Sequence, residues 1–218
     1  MSTVKLEKPQ RLVLYGVDWR TYGRWLRLRD AHRGLRLTYD RGALELMTVT
    51  FGHESWSRFL GRLVCAITEE LGLPIAGGGS TTFRRRKKQR GLEPDECFWI
   101  ANESLVRGKE RLDLRVDPPP DLAMEVDITR SSLDRMGIYA ALGVAEVWRY
   151  NGTSLSFNVL GSDGKYGVAA SSRAIPNLTP ADLTAFLILR GQLDENAVCH
   201  QVRDWARQHL AARGGPTS

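Results

Sequence analysis

Apolar residues recur along the chain in two periods, and the switches between them divide it into elements. HESWSRFLGRLVCAITEELG (53–72) sets Trp56, Phe59, Leu60, Leu63, Val64, Ile67 and Leu71 on one stripe of period 3.6. That stripe predicts a long amphipathic helix with Gly72 at C′. DWRTYGRWLRLRDA (18–31) predicts a shorter helix capped by Asp18, with Trp19, Tyr22, Trp25 and Leu26 inward. Between the two, LRLTYDRGALELMTV (35–49) alternates with period two around Asp40-Arg41-Gly42, the pattern of a hairpin. DECFWIA (95–101) and DLAMEVDI (121–128) read as strands, separated by a polar, Pro-rich stretch expected to be loop with at most a short helix. RSSLDRMGIYAALG (130–143) reads as a helix closed by Gly143. AEVWRYNG and LSFNVL read as strands joined at Asn151-Gly152, and Asp163-Gly164 marks another hairpin. The chain from Thr179 onward reads as two amphipathic helices, and residues 1–10 as a loose tail.

GGGSTTFRRRKKQRG (77–91) is a Gly-rich turn leading into a strand that ends in a basic run. No internal repeat and no linker interrupts the 218 residues. The order of elements predicts an α/β protein, a mixed sheet flanked by helices. Residues 11–190 form its body, with 191–218 as a C-terminal helical extension of the same domain.

Composition narrows the function classes. No apolar run reaches the roughly 18 residues of a membrane span, so no membrane partner is expected. MSTVKLEKPQ lacks the apolar core of a signal peptide, which points to the cytoplasm. Cys65, Cys97 and Cys199 are widely spaced, with no C-x-x-C pair, as free thiols in a reducing compartment would be. A formal charge of +6 and a pI near 9.5 favour an acidic partner, nucleic acid first.

Against that positive balance stand carboxylates at the edges of apolar strands. Asp95 follows Pro94, which favours an extended start. Glu125 and Asp127 are two residues apart in a strand, so they share a face. If the strands of Asp95 and Glu125 are neighbours, three carboxylates converge, and their repulsion calls for a cation. A hard dication, Mg²⁺ or Mn²⁺, suits oxygen ligands and can polarise a phosphodiester and activate water. The alternative is that these acids meet solvent or pair with arginines.

Several motifs recur in one order: GALELM at 42–47, His53, Pro94-Asp95, PPDLAMEV at 119–126, Tyr139, and GVAEVW at 143–148. In this the chain resembles the Uma-type putative restriction endonuclease family, a branch of the PD-(D/E)XK nuclease superfamily, over roughly residues 18–160. The resemblance implies a restriction-endonuclease-like mixed sheet flanked by helices and Mg²⁺-dependent cleavage of DNA. It implies Asp95 and Glu125 as metal ligands and, because such nucleases often dimerise to cut both strands, a homodimer. The superfamily lysine two residues after the Glu is here Asp127. The family's alternative lysine, four residues before the Tyr, is here Arg135. Arginine keeps the charge and can hold a phosphate oxygen, but accepts no proton near neutral pH. Arg135 would then stabilise the pentavalent phosphate, or merely pair with Asp127. Lys87 and Lys88 are other candidates for a migrated lysine.

Glu45 is either an accessory carboxylate, with Glu45 or Asp127 completing the metal shell, or an exposed hairpin residue. His53 touches metal or substrate, or caps its helix at the surface. The run Arg84, Arg85, Arg86, Lys87, Lys88 is either a phosphate-backbone contact, with alternation putting half of it on each face, or a solvated turn. The tryptophans Trp19, Trp25, Trp56, Trp99 and Trp148 sit at core spacings, and His32, His200 and His209 have no ligand spacing.

Overall fold

A computed structural model describes residues 9–29, 34–127 and 131–210. Strand β1 (Arg11–Leu14) leads to helix α1 (Trp19–Arg29), where the Asp18 carboxylate accepts the Thr21 N–H at 2.6 Å, the expected cap. The end of that predicted helix and His32 lie outside the described residues. Strands β2 (Leu35–Asp40) and β3 (Ala43–Thr48) pair around Arg41 and Gly42, both at positive φ (45° and 98°). That is the two-residue turn whose twist matches its strands. Helix α2 (Phe51–Glu70) begins two residues before the predicted start, because Thr50 caps it by accepting the His53 N–H. Gly72 takes the expected left-handed C′ position, with φ 63°.

The basic run departs from expectation. After β4 (Ala76–Gly77) and β5 (Phe83–Arg85), the residues Arg86–Lys88 form a single 3-10 turn. Gln89, at φ 51°, then reverses the chain into β6 (Arg90–Leu92), which pairs back on β5. Strand alternation therefore ends at Arg85. Next come β7 (Glu96–Trp99), the short α3 (Glu103–Val106) and β8 (Leu122–Val126). Helix α4 (Arg135–Leu142) starts later than its pattern predicts, because the Asp134 carboxylate accepts the Gly137 N–H at 2.9 Å and sets the start there. Gly143 closes it at φ 86°. Strands β9 (Glu146–Tyr150), β10 (Leu155–Leu160) and β11 (Tyr166–Ala169) and helices α5 (Pro180–Leu187) and α6 (Glu195–His209) complete the order.

The strands divide between two sheets. The mixed sheet runs β11-β10-β9-β8-β7-β4, with β8 and β9 parallel and joined through α4. The N-terminal hairpin belongs instead to an antiparallel sheet of order β1-β3-β2-β6-β5. Helix α2, flanked by α5 and α6, covers one face of the mixed sheet through Leu60, Val64, Met124, Trp148, Val198 and Val202. On the other face Ile138 and Tyr139 of α4 pack with Phe83, Leu92 and Val147. Helix α1 seats Tyr22 on Tyr39 of the second sheet, their rings stacked at 4.7 Å. Asp95, Glu125 and α4 meet where the two sheets come together.

Candidate functional site

Strands β7 and β8 are antiparallel neighbours with Glu96 opposite Met124. Asp95 lies just before β7 and Glu125 follows Met124 on β8, close enough that the charge of Asp95 acts on Glu125. Asp95 is held by the strand it faces: its N–H donates to the Met124 carbonyl at 3.1 Å, and its Oδ2 accepts the Val126 N–H at 2.7 Å. His53, in the first turn of α2, brings Nε2 to 3.1 Å from the same oxygen. His53 is 2% exposed, so the surface-cap reading does not describe it. Burial pushes the Asp95 carboxyl upward, but His53, Arg135 and Arg36 outweigh it and hold the group below the usual range. Burial, the largest single influence, pushes the His53 imidazole down, but Asp95, Glu125 and Glu54 together raise it further, so its net shift is upward.

Glu125 has the opposite balance. Burial raises its pKa, and the Asp95 charge adds to that, beyond what Arg135 and Tyr139 offset. Tyr139 and Arg135, one helical turn apart on α4, both donate to Glu125 Oε1, Arg135 through Nη2 at 2.5 Å. The same guanidinium donates to the Thr38 hydroxyl at 2.6 Å and to the Glu93 carbonyl at 2.9 Å. Arg135 therefore ties α4, β2, the start of β7 and β8 together at the carboxylates. Its planar fork of donors makes three bonds in three directions, which a single ammonium could not reproduce with the same geometry.

Asp127 and Glu125 both line a cleft of about 240 Å³, with Ser131, Met136 and Arg149 on its other walls. Asp127 does not pair with Arg135: its Oδ2 is 2.5 Å from Arg149 Nη2. Among the described residues no three of His, Cys, Asp and Glu gather closely enough to hold a metal ion. The convergence of three carboxylates is thus not formed. Glu45 is neither exposed nor open. It is 1% exposed, pairs with Arg11 at 2.8 Å, and accepts from Ser131 Oγ and Ser132 N–H at 2.9 Å each. The basic run lies on β5 and the turn after it, apart from these carboxylates.

Sequence reasoning passed over three members of this neighbourhood. Thr38 is a polar residue within the apolar β2, and that interruption was the available signal. Glu93 is buried beside Pro94 and accepts from Arg29, from Thr82 Oγ1 at 2.7 Å and from the Leu37 N–H at 3.3 Å. Arg36 is 8% exposed, pairs with Glu54 at 2.6 Å and lowers the Asp95 pKa. Glu93 and Arg36 depend on partners brought from other elements of the chain, for which no local pattern exists.

The donor chemistry fits a hard dication carried by two carboxylates. Asp95 Oδ1 and Glu125 Oε2 accept no hydrogen bond from the described residues. Mg²⁺ commonly takes one or two carboxylates and completes its octahedron with water and phosphate oxygens.

The family profile described as "Uma2: Putative restriction endonuclease" matches residues 19–185, from α1 through α5. The chain belongs to this family. No curated protein matches it.

Proposed function

We propose that the chain is a Mg²⁺- or Mn²⁺-dependent endonuclease that hydrolyses DNA phosphodiester bonds at the Asp95–Glu125 pair. The observation that carries the reading is the placing of these two acids across adjacent strands, with Arg135 of α4 bonded to one of them, in a chain of the Uma2 family. Asp95 and Glu125 would hold the cation. Bound there, it would polarise the phosphodiester and lower the pKa of an attacking water.

The chain's own groups supply position and charge. The Val126 N–H and His53 fix the Asp95 carboxylate, and Tyr139 fixes Glu125, so both ligands are oriented before substrate arrives. Arg135 is anchored by Thr38 and the Glu93 carbonyl, and its charge would stabilise the negative charge that grows on the phosphate. Such a fixed cation stabilises the transition state without reorganising. Arg135 takes no proton from the water. Asp127, neutralised by Arg149, shapes the cleft wall.

The test is nicking of supercoiled plasmid with Mn²⁺, with single-stranded DNA and RNA in parallel. Wild type is expected to nick the plasmid. Asp95→Asn and Glu125→Gln should each lose about a hundredfold or more, and Asp95→Asn should lose Mn²⁺ binding by calorimetry with an unchanged circular dichroism spectrum. Wild-type cleavage that survives both substitutions would sink the reading. A second reading is a catalytically silent nucleic-acid-binding module on the same fold. It is favoured by the Arg135–Glu125 pair, which already neutralises one acid with a group that accepts no proton. Undetectable nicking, together with Mn²⁺ binding indifferent to Asp95→Asn, would select it.

A further inference from the structure

A second concave surface, sharing no lining residue with the Glu125 cleft, lies along the β5–β6 hairpin. It is a groove of about 920 Å³ with two walls. The β5–β6 hairpin forms the first, carrying Arg84 through Lys88, and the segment from Arg111 to Arg115 forms the second. Seven cationic side chains line it against one acid, Asp113. That excess equals the formal +6 of the entire chain, so the other charged residues balance. The basicity of the protein is therefore a local property. Among the described residues only Arg115 of these seven has an acidic partner, Asp113, with Arg115 Nε 2.8 Å from its Oδ2. Like charges crowded without counter-charges repel one another, and a polyanion laid between them relieves that cost.

The second wall is built rather than slack. Asp117 is 8% exposed, accepts the Asp113 N–H at 2.7 Å and pairs with Lys109 at 2.5 Å, closing the segment on itself. The Trp99 indole N–H holds its end through the Pro118 carbonyl at 3.0 Å. Leu112 and Leu114 pack in the same apolar cluster as Phe83 of β5, so the two walls share one footing. Met136 packs there as well and also lines the Glu125 cleft. Arg90 of β6 donates to the Gly137 carbonyl of α4 at 2.9 Å, which joins the hairpin to the helix that begins with Arg135.

We propose that this groove is a sequence-independent track for a phosphodiester backbone, with Arg111 and Arg115 supplying phosphate contacts opposite those of the basic hairpin. The inference rests on the reading that the chain acts on a nucleic acid, and extends it to where the strand runs beyond the cleavage site. Backbone contacts set register and carry no base information, so affinity should be indifferent to sequence.

The experiment is fluorescence anisotropy of the full chain with EDTA present, so that binding is read without cleavage. Probes are two labelled duplexes of unrelated sequence and a single strand of the same length, over about 50 to 200 mM salt. Arg111→Gln alone and with Arg115→Gln should flatten log K against log salt by about 0.9 per lost contact on duplex, or about 0.7 on the single strand. Reading Arg111→Gln by itself matters because Arg115→Gln also unpairs Asp113. The double variant to lysine should keep the wild-type slope. The steeper of the two nucleic-acid arms identifies the form the groove takes. An unaltered slope in both glutamine variants, or polyglutamate displacing the duplex as well as unlabelled DNA does, overturns the proposal. A wild type that binds with this salt dependence yet never nicks plasmid leaves the groove standing and defeats the nuclease reading. One that nicks, with a slope indifferent to Arg111 and Arg115, does the reverse.

Discussion

Arg135 is the residue on which activity and stability meet. Its guanidinium is the counter-charge of the buried Glu125 and, in the proposed reading, also the group offered to phosphate. Arg135→Ala removes both roles and leaves Glu125 buried without its cation. Breaking a buried pair in this way costs about 3–5 kcal/mol, so chemical denaturation should show a large loss. Cleavage should fall by two to three orders of magnitude, about the scale of one lost preorganised donor. Arg135→Lys keeps the charge and restores the family's residue, and its plasmid nicking should equal or exceed that of wild type. A lysine variant as inactive as the alanine one would show that the fork, not the charge, is what the site uses. His53 gives a pH signature. Its pKa is raised in the folded state above the ordinary 6.5, so its pairing with Asp95 contributes fully below about pH 6.5 and fades as pH rises through the raised value. Wild type should lose its melting-temperature advantage over His53→Gln as pH climbs from acidic to mildly alkaline. An advantage constant across that range would mean that the pair carries no charge dependence.

At the scale of elements, helix α4 and the segment before it decide where Arg135 stands. The Asp134 cap fixes the first turn, and Asp134→Ala should cost about 1 kcal/mol. Glu45, from the other sheet, ties down Ser131 and Ser132 immediately upstream. Glu45→Ala leaves the half-buried Ser131 hydroxyl and the exposed Ser132 N–H without their acceptor, a loss of about 1 kcal/mol, and should slow cleavage by loosening the approach to α4. Mn²⁺ affinity measured by calorimetry should stay at the wild-type value. A fall in that affinity would return Glu45 to the role of accessory ligand.

For the whole molecule, α6 is placed as part of the core and not as an appendage. Val198, Val202, Ala206 and Leu210 are buried in the cluster that α2 forms against the mixed sheet. Arg203 and Arg207 pair with Glu69 and Glu70 at the end of α2. We propose that α6 folds cooperatively with the body of the chain. A chain ending at Arg190 would expose that apolar face to water, and it should lose its single sharp thermal transition and bind hydrophobic dyes. Retention of a cooperative melt would make the C-terminal helix dispensable.

The local pattern by itself determined most elements. The stripe on α2, the Arg41-Gly42 turn, the strands flanking Asp95 and Glu125 and the left-handed Gly72 and Gly143 all follow from interactions within a few residues. Periodicity and turn chemistry record such interactions directly. The order of motifs also named Asp95, Glu125 and Arg135, since spacing along the chain survives folding. Only the tertiary structure decided what those side chains touch. It separated the hairpin of β2 and β3 into a second sheet and brought Thr38 and the Glu93 carbonyl to Arg135. It gave Asp127 to Arg149, enclosed Glu45, set His53 on Asp95, and gathered the excess positive charge into one groove. These outcomes depend on contacts between residues dozens of positions apart. A strand's period says which face is apolar but not which strand or helix will cover it.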